Sequence, residues 1–191
     1  MSWLDRSLQH FGIYRRLLAF SDFDTRPLGS LGIDLEFTEL SSSSDYSALR
    51  ANQARLARER WQRGDTCLAA RFEGNLVGVC WCAVETARVD YLGAEIRLAE
   101  DAVYTYDSYV AAAFRGRRVA DGLRLASIAW ARVRGFERTF SLIWPHNPAS
   151  MHRSRRMAWT EIGEIVRFGF GPRAQLSFRL RGEHHDICGP I

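Results

Sequence analysis

The chain has 191 residues, a net charge of +4 and 47% hydrophobic residues. That is the size and mixture of one globular domain with its own core, and the charge is too mild for a nucleic-acid footprint. Every basic residue is Arg, which excludes Schiff-base and lysine-nucleophile chemistry and favours bidentate recognition of phosphate.

No apolar run reaches the length of a membrane span. The first twenty residues carry Asp5, Arg6, Arg15 and Arg16, unlike a signal peptide, so a soluble cytoplasmic protein is expected. Residues 2–20 place Leu4, Leu8, Phe11 and Leu18 near one stripe, and an N-terminal helical extension over 1–31 is expected, with Pro27 and Gly29 in its connection. Ile33–Leu40 alternates apolar and polar residues as a half-buried strand does. The serines 41–44 offer N-cap hydroxyls to a helix over 45–63. Leu49, Leu56 and Trp61 face inward there, Arg50, Arg55, Arg58 and Arg60 form a solvated face or else a binding face, and Gly64 stops it.

Thr66–Glu73 and Leu76–Val84 read as a hairpin turning at Gly74-Asn75. Residues 86–100 extend that hairpin or form a loop. Ala102–Val110 is a strand. A helix follows over Arg117–Arg134, with Val119, Leu123, Ala126, Trp130 and Val133 on one stripe and Gly135 as its stop. Thr139–Trp144 is a strand, and Asn147 caps a short helix over 148–158 whose first residue is Pro148. Glu161–Phe168 and Gln175–Leu180 close the fold as a hairpin, and the tail 182–191 is expected to fray. One βαβ crossover beside hairpins gives a mixed α/β sheet in a single domain. Cys67, Cys80, Cys82 and Cys188 lack the ligand pairs of a metal site, so reduced thiols and no metal are expected.

The chemistry concentrates in Tyr104–Leu123. A strand ends in Ala111, Ala112 and Ala113, and an Arg-Gly-Arg-Arg turn opens a long helix. Unpaired N–H groups and the helix dipole favour an anion there, Gly116 admits a close backbone approach, and Arg115, Arg117 and Arg118 add charge. A pyrophosphate suits such a site.

Val110, Phe114, Arg115, Gly116 and Ala120 resemble the coenzyme A pyrophosphate loop of the GNAT superfamily, R-x-x-G-x-G/A, or V-x-P-x-(Y/F)-R-G-x-G in its wider form. Ala112 stands where Pro is usual and Arg118 where the first motif Gly is usual. Asn147 and Ser150 resemble the family's later motif, with Ser154 in its Tyr place, Ala158 in its Gly place and Trp159 in its Phe place. The resemblance covers about residues 32–181. It implies a mixed, mostly antiparallel sheet of about six or seven strands with helices on both faces.

It also implies acyl transfer from acetyl-CoA or another acyl-CoA to a small-molecule or peptide amine by direct attack. Coenzyme A contacts would come from Val110, Ala111, Ala112, Arg115, Gly116, Arg117, Arg118, Val119, Ala120, Asn147 and Ser150, with the Val110 N–H facing the oxyanion. Asp107 is the candidate base, and Ser154 or Tyr106 the candidate acid for the leaving thiolate. His146, His152, Glu85 and Glu95 are weaker candidates, and His184-His185 reads as surface. Arg153, Arg155 and Arg156 either meet a coenzyme A phosphate or an acyl carrier protein, or form a solvated face. Alternatives are a non-catalytic acyl-CoA-binding module and a basic DNA-binding domain, whose binding would depend strongly on salt. The edge strand of the C-terminal hairpin is a place where a homodimer would pair.

Overall fold

The computed structural model describes residues 14–21, 31–169, 174–181 and 187–190. In chain order these form β1 (Tyr14–Ser21), β2 (Glu36–Leu40), α1 (Ser43–Leu49), α2 (Ala54–Gln62), β3 (Thr66–Phe72) and β4 (Asn75–Ala83). There follow β5 (Thr86–Val89), β6 (Ala94–Leu98), β7 (Ala102–Val110), α3 (Val119–Val133), β8 (Arg138–Ile143), α4 (Pro148–Arg156), β9 (Thr160–Phe168), β10 (Gln175–Leu180) and β11 (Ile187–Pro190). Eight strands build one sheet in the order β10-β9-β1-β8-β7-β4-β3-β2. Every neighbouring pair is antiparallel except β7 and β8, which the α3 crossover makes parallel.

The N-terminal helix is the main correction. Leu4, Leu8 and Phe11 lie outside the described residues, but residues 14–21 are a strand inside the sheet, between β8 and β9. Leu17 and Ala19 pack on one face, Leu18 and Phe20 on the other. A strand buried on both faces gives an unbroken apolar run, which lacks the alternation that marks a half-buried strand.

Helix α3 covers one face, where Val119 and Leu123 meet Val77 and Cys80 of β4. Two glycines permit this contact. A Cβ on Gly78 would sit 3.0 Å from Leu123, and one on Gly122 would sit 2.6 Å from Phe37. The α3 stripe shortens at its end, since Val133 is 84% exposed. Helix α4 joins α3 on this face through Met151, packed with Leu125 against Leu18, Phe20 and Ile143. The expected helix over 45–63 is broken at Arg50 (φ −141°) and Ala51–Gln53 into α1 and α2. Both pack on the opposite face, where Tyr46 and Trp61 meet Trp81 of β4 with ring centroids 5.8 and 5.3 Å away.

The β3–β4 turn falls one residue earlier than expected, on Glu73-Gly74, where both φ angles are positive as a two-residue type I′ turn requires. Residues 86–98 form a separate hairpin, β5–β6, whose sheet β11 completes. The tail is therefore paired at Ile187–Pro190 rather than frayed throughout. Among the described residues no helix is long and apolar enough to cross a membrane.

Candidate active site

Strands β7 and β8 pair only from Ala102–Arg138 to Tyr104–Phe140. Thr105 Oγ1 donates to the Phe140 carbonyl at 3.1 Å, and Ser141 Oγ donates to the Thr105 carbonyl at 3.1 Å. Beyond these bonds the strands part. A bulge sits at that level: Val79 faces Tyr109 and Trp81 faces Tyr106, so Asp107 and Ser108 together oppose Cys80. Asp107 takes φ +43°, a left-handed conformation that a non-glycine residue holds only when its surroundings enforce it.

At the far end of β7 the Ala111 N–H donates to the Val77 carbonyl at 2.9 Å, while Val110 lies opposite Gly78. In an antiparallel ladder that pattern makes Val110–Gly78 a non-hydrogen-bonded pair, so the Val110 N–H points toward the parting of the strands. Ala112–Phe114 then forms a 3-10 turn, and Gly116 takes φ +79°. Arg118 is the N-cap of α3 at φ +61°. The motif departure at Arg118 thus falls on a residue whose backbone favours glycine. Val119 and Ala120 open the helix, where N–H groups precede any intrahelical acceptor. Arg115 and Arg117 are exposed beside this turn, and Arg115 Nε donates to the Val110 carbonyl at 3.3 Å.

A cavity of about 260 Å³ runs from Ala120 past Asn147, Ser150, Arg153 and Trp159 to the bulge. Asn147 Oδ1 accepts from the Ser150 N–H at 3.1 Å, capping α4 as its sequence suggests. Ser154 is fully buried, and its hydroxyl donates to the Met151 carbonyl of its own helix at 2.9 Å. Two guanidinium groups lie over the indole of Trp159, Arg124 at 4.8 Å and Arg153 at 5.6 Å from the ring centroid. Burial first, and then the charge of Arg124, hold the Arg153 guanidinium below its usual range. Arg156, which sequence grouped with Arg153, instead bonds Asp121 at 2.7 Å.

On the opposite face a second cavity, of about 600 Å³, lies between α2, the β5–β6 turn and the parted strands. Tyr106, Asp107, Leu142, Trp144 and Asn147 line both cavities. Asp107 Oδ2 accepts from Arg50 Nη1 at 2.9 Å and from Arg60 Nη1, and Oδ1 takes part in neither bond. Arg60, 4% exposed, lies over the rings of Trp81 and Tyr106. The Tyr106 hydroxyl donates to Asp65 Oδ2 at 2.6 Å, and Arg63 bonds the same oxygen at 2.9 Å. Burial and then the Asp65 carboxylate push the Tyr106 phenol far above its ordinary range, so it stays protonated.

Arg50 and Arg60 are therefore ion-paired, not solvated, whereas Arg55 and Arg58 are exposed as expected. The useful signal was position: Arg60 falls three residues after the buried Ala57. Its partner, 47 residues away in sequence, was not readable. Asp90 and Tyr91, at the β5–β6 turn, line the second cavity instead of Glu85 and Glu95, which are exposed. His152 is exposed, His146 packs edge-on against Trp144 with ring centroids 5.1 Å apart, and His184-His185 lies outside the described residues.

The aminoglycoside N-acetyltransferase AAC(6')-Iy, in complex with the bisubstrate analogue CoA-S-monomethyl-acetylneamine, shares this fold at 19% identity and a TM-score of 0.54, over 67% of this chain and 92% of its own. A GNAT-family acetyltransferase from Colwellia psychrerythraea does so at 14% identity and a TM-score of 0.58, over 83% of this chain and 57% of its own. An N-acetyltransferase from Staphylococcus aureus Mu50 does so at 14% identity and a TM-score of 0.52, over 76% and 94%. No curated protein sequence matches the chain. The model of the acetyltransferase (GNAT) family matches residues 35–159, a span that runs from β2 to the Trp159 indole and takes in both parted strands, so the chain belongs to that family.

Proposed function

We propose that the protein is an N-acyltransferase that moves an acetyl or longer acyl group from an acyl-CoA to a primary amine within a ternary complex. One observation carries this reading. Two cavities on opposite faces of one sheet meet where β7 and β8 part, and one of them begins beside the Arg-Gly turn. Donor and acceptor can enter from opposite sides and meet without crossing.

In this reading the coenzyme A pyrophosphate lies on the turn, held by the N–H groups of Gly116, Val119 and Ala120 and by the charges of Arg115, Arg117 and Arg118. The pantetheine arm follows Ala111 and Ala112 toward Asn147 and Ser150. The Val110 N–H faces the thioester oxygen and stabilises the negative charge that develops there. Asp107 stands at the junction of the cavities, where its Oδ1 can receive the amine proton. Tyr106 lines both cavities, but its proton is committed to Asp65 and burial makes it a weak acid, so it fixes the network while the departing thiolate takes the proton that Asp107 receives from the amine. Ser154, whose hydroxyl is committed to its own helix, positions α4 rather than donating a proton.

That same buried hydroxyl supports a second reading, an acyl-CoA-binding module without turnover, or one that takes its acyl group from a carrier protein. Release of free thiol from acetyl-CoA separates the two. We expect release that depends on one class among polyamines, aminoglycosides, amino acids and peptide N-termini. Coenzyme A binding with no amine-dependent release would sink the transferase reading.

A further inference from the structure

Three positions that interrupt an apolar pattern converge on the donor-side cavity. Trp159 stands in the Phe place of the family motif and adds an indole N–H. Arg124 is 4% exposed on a helix whose neighbours Leu123 and Ile128 are core. Arg153 lies 5.6 Å from the centroid of the same indole ring. All three line the cavity together with Thr105–Ser108, and Arg124 lies one turn along α3 from Ala120.

Hydrogen bonding makes this wall unusual. Trp159 is 7% exposed and its Nε1–H is buried without an acceptor among the described residues, and so is the Nε–H of Arg153. A buried donor without a partner costs free energy, and a ligand acceptor removes that cost. Both groups are donors only. Arg124 places a second positive charge beside Arg153, so an anion would be held by charge as well as by hydrogen bonds. In the acyl-CoA reading the pyrophosphate occupies the Arg-Gly turn, which leaves the thioester end of the donor to meet these residues, one helical turn further along α3.

We propose that the acyl group carried by this enzyme ends in a carboxylate, which Arg153 and the Trp159 N–H bind inside the cavity while Arg124 adds charge. The donor class is thus a short dicarboxylic mono-thioester of coenzyme A. This rests on the acyl-CoA reading above. The amine nitrogen forms the new C–N bond to the thioester carbon and loses one proton to a base. The C–S bond breaks with its electron pair on sulfur, and the distal carboxylate is carried unchanged into the amide product.

Equilibrium binding of succinyl-CoA, butyryl-CoA, acetyl-CoA and free coenzyme A to the wild-type protein tests this, at one pH and ionic strength. Succinyl and butyryl chains have the same length and differ in the terminal carboxylate. We expect succinyl-CoA to bind at least about tenfold more tightly than butyryl-CoA, as one charge-assisted hydrogen bond provides. The Arg153→Gln variant should reduce that ratio to about one, with folding checked by its thermal transition. Equal or weaker binding of succinyl-CoA by the wild type overturns the proposal and leaves the acyl-CoA reading standing. So does free coenzyme A binding as tightly as succinyl-CoA, which would assign the donors to the thiol or the phosphates. Binding of none of the four would overturn both.

Discussion

The two cavities that meet at Asp107 are built on opposite electrostatic plans. On the α1–α2 side every charge near the junction is matched: Asp107 with Arg50 and Arg60, Asp65 with Arg63 and the Tyr106 hydroxyl. On the α3–α4 side Arg153 and Arg124 both lie over the Trp159 indole, and the Nε–H of Arg153 and the Nε1–H of Trp159 have no acceptor among the described residues. Gln53 Oε1 and Arg60 Nε on the first side also lack partners among the described residues, so the walls differ in charge balance rather than in hydrogen bonding alone. One wall of the site thus balances its charges internally, and the other gathers two guanidinium groups that an anion would suit.

The sharpest test of the charge-balanced wall is Asp107→Asn. If the Oδ1 atom takes the amine proton, kcat/KM falls roughly 100- to 10,000-fold while coenzyme A affinity is nearly kept. A fall of less than about tenfold would make Asp107 an anchor for Arg60 and nothing more. Stability should separate the walls next. Arg60→Met removes one side of a largely buried ion pair and should cost about 3 kcal/mol in chemical denaturation. Arg153→Met, in ligand-free protein, removes a buried cation repelled by its neighbour, so stability should stay level or rise by about 1 kcal/mol. Equal losses for both variants would erase the distinction between the two sides.

Alkaline pH attacks the paired side. Cys67, Tyr46, Tyr104 and Tyr106 lie on that face of the sheet, and burial is the first cause that raises each above its ordinary value. A raised group contributes stability that is complete below its unfolded value and lost as pH rises toward the folded one. Stability should therefore begin to fall near pH 9.0 through the thiol and steepen near pH 10.0 through the phenols. Each ionising group contributes about 1.4 kcal/mol per pH unit. A flat denaturation midpoint between those values would contradict the burial of these groups. The smallest effect belongs to Arg118→Gly, which relieves a positive φ and should add about 1 kcal/mol of stability. The ion pair that this substitution removes, Arg118 to Asp121 at 3.4 Å with Arg118 about one-third exposed, is worth less. Coenzyme A affinity should fall in the same variant if Arg118 grips a phosphate.

Legibility in the sequence followed the same division by range. The strand, turn and helix from Ala102 to Val133 were readable because their signals are local: alternation, an Arg-Gly turn, an apolar stripe and a glycine stop. Asn147 was readable as a cap for the same reason. Strand β1 was misread because both of its faces are buried, so Leu17–Phe20 shows no alternation, and its neighbours in the sheet lie more than 100 residues away. Arg50 and Arg60 were misread because charges on a helix are solvated by default, and only the fold brings Asp107 to them. The orphaned donors of Arg153 and Trp159 are visible only once α3, α4 and the sheet enclose them.

Thermal unfolding of the wild-type protein with and without free coenzyme A tests the central claim, that the Arg-Gly turn and the cavity below it form a coenzyme A site. Coenzyme A at 100 times its dissociation constant should stabilise the fold by roughly 2.7 kcal/mol. ATP, which carries phosphates but no pantetheine arm, should stabilise it far less. An unchanged transition with coenzyme A, or equal shifts with ATP, would contradict the assignment of that cavity to the acyl donor.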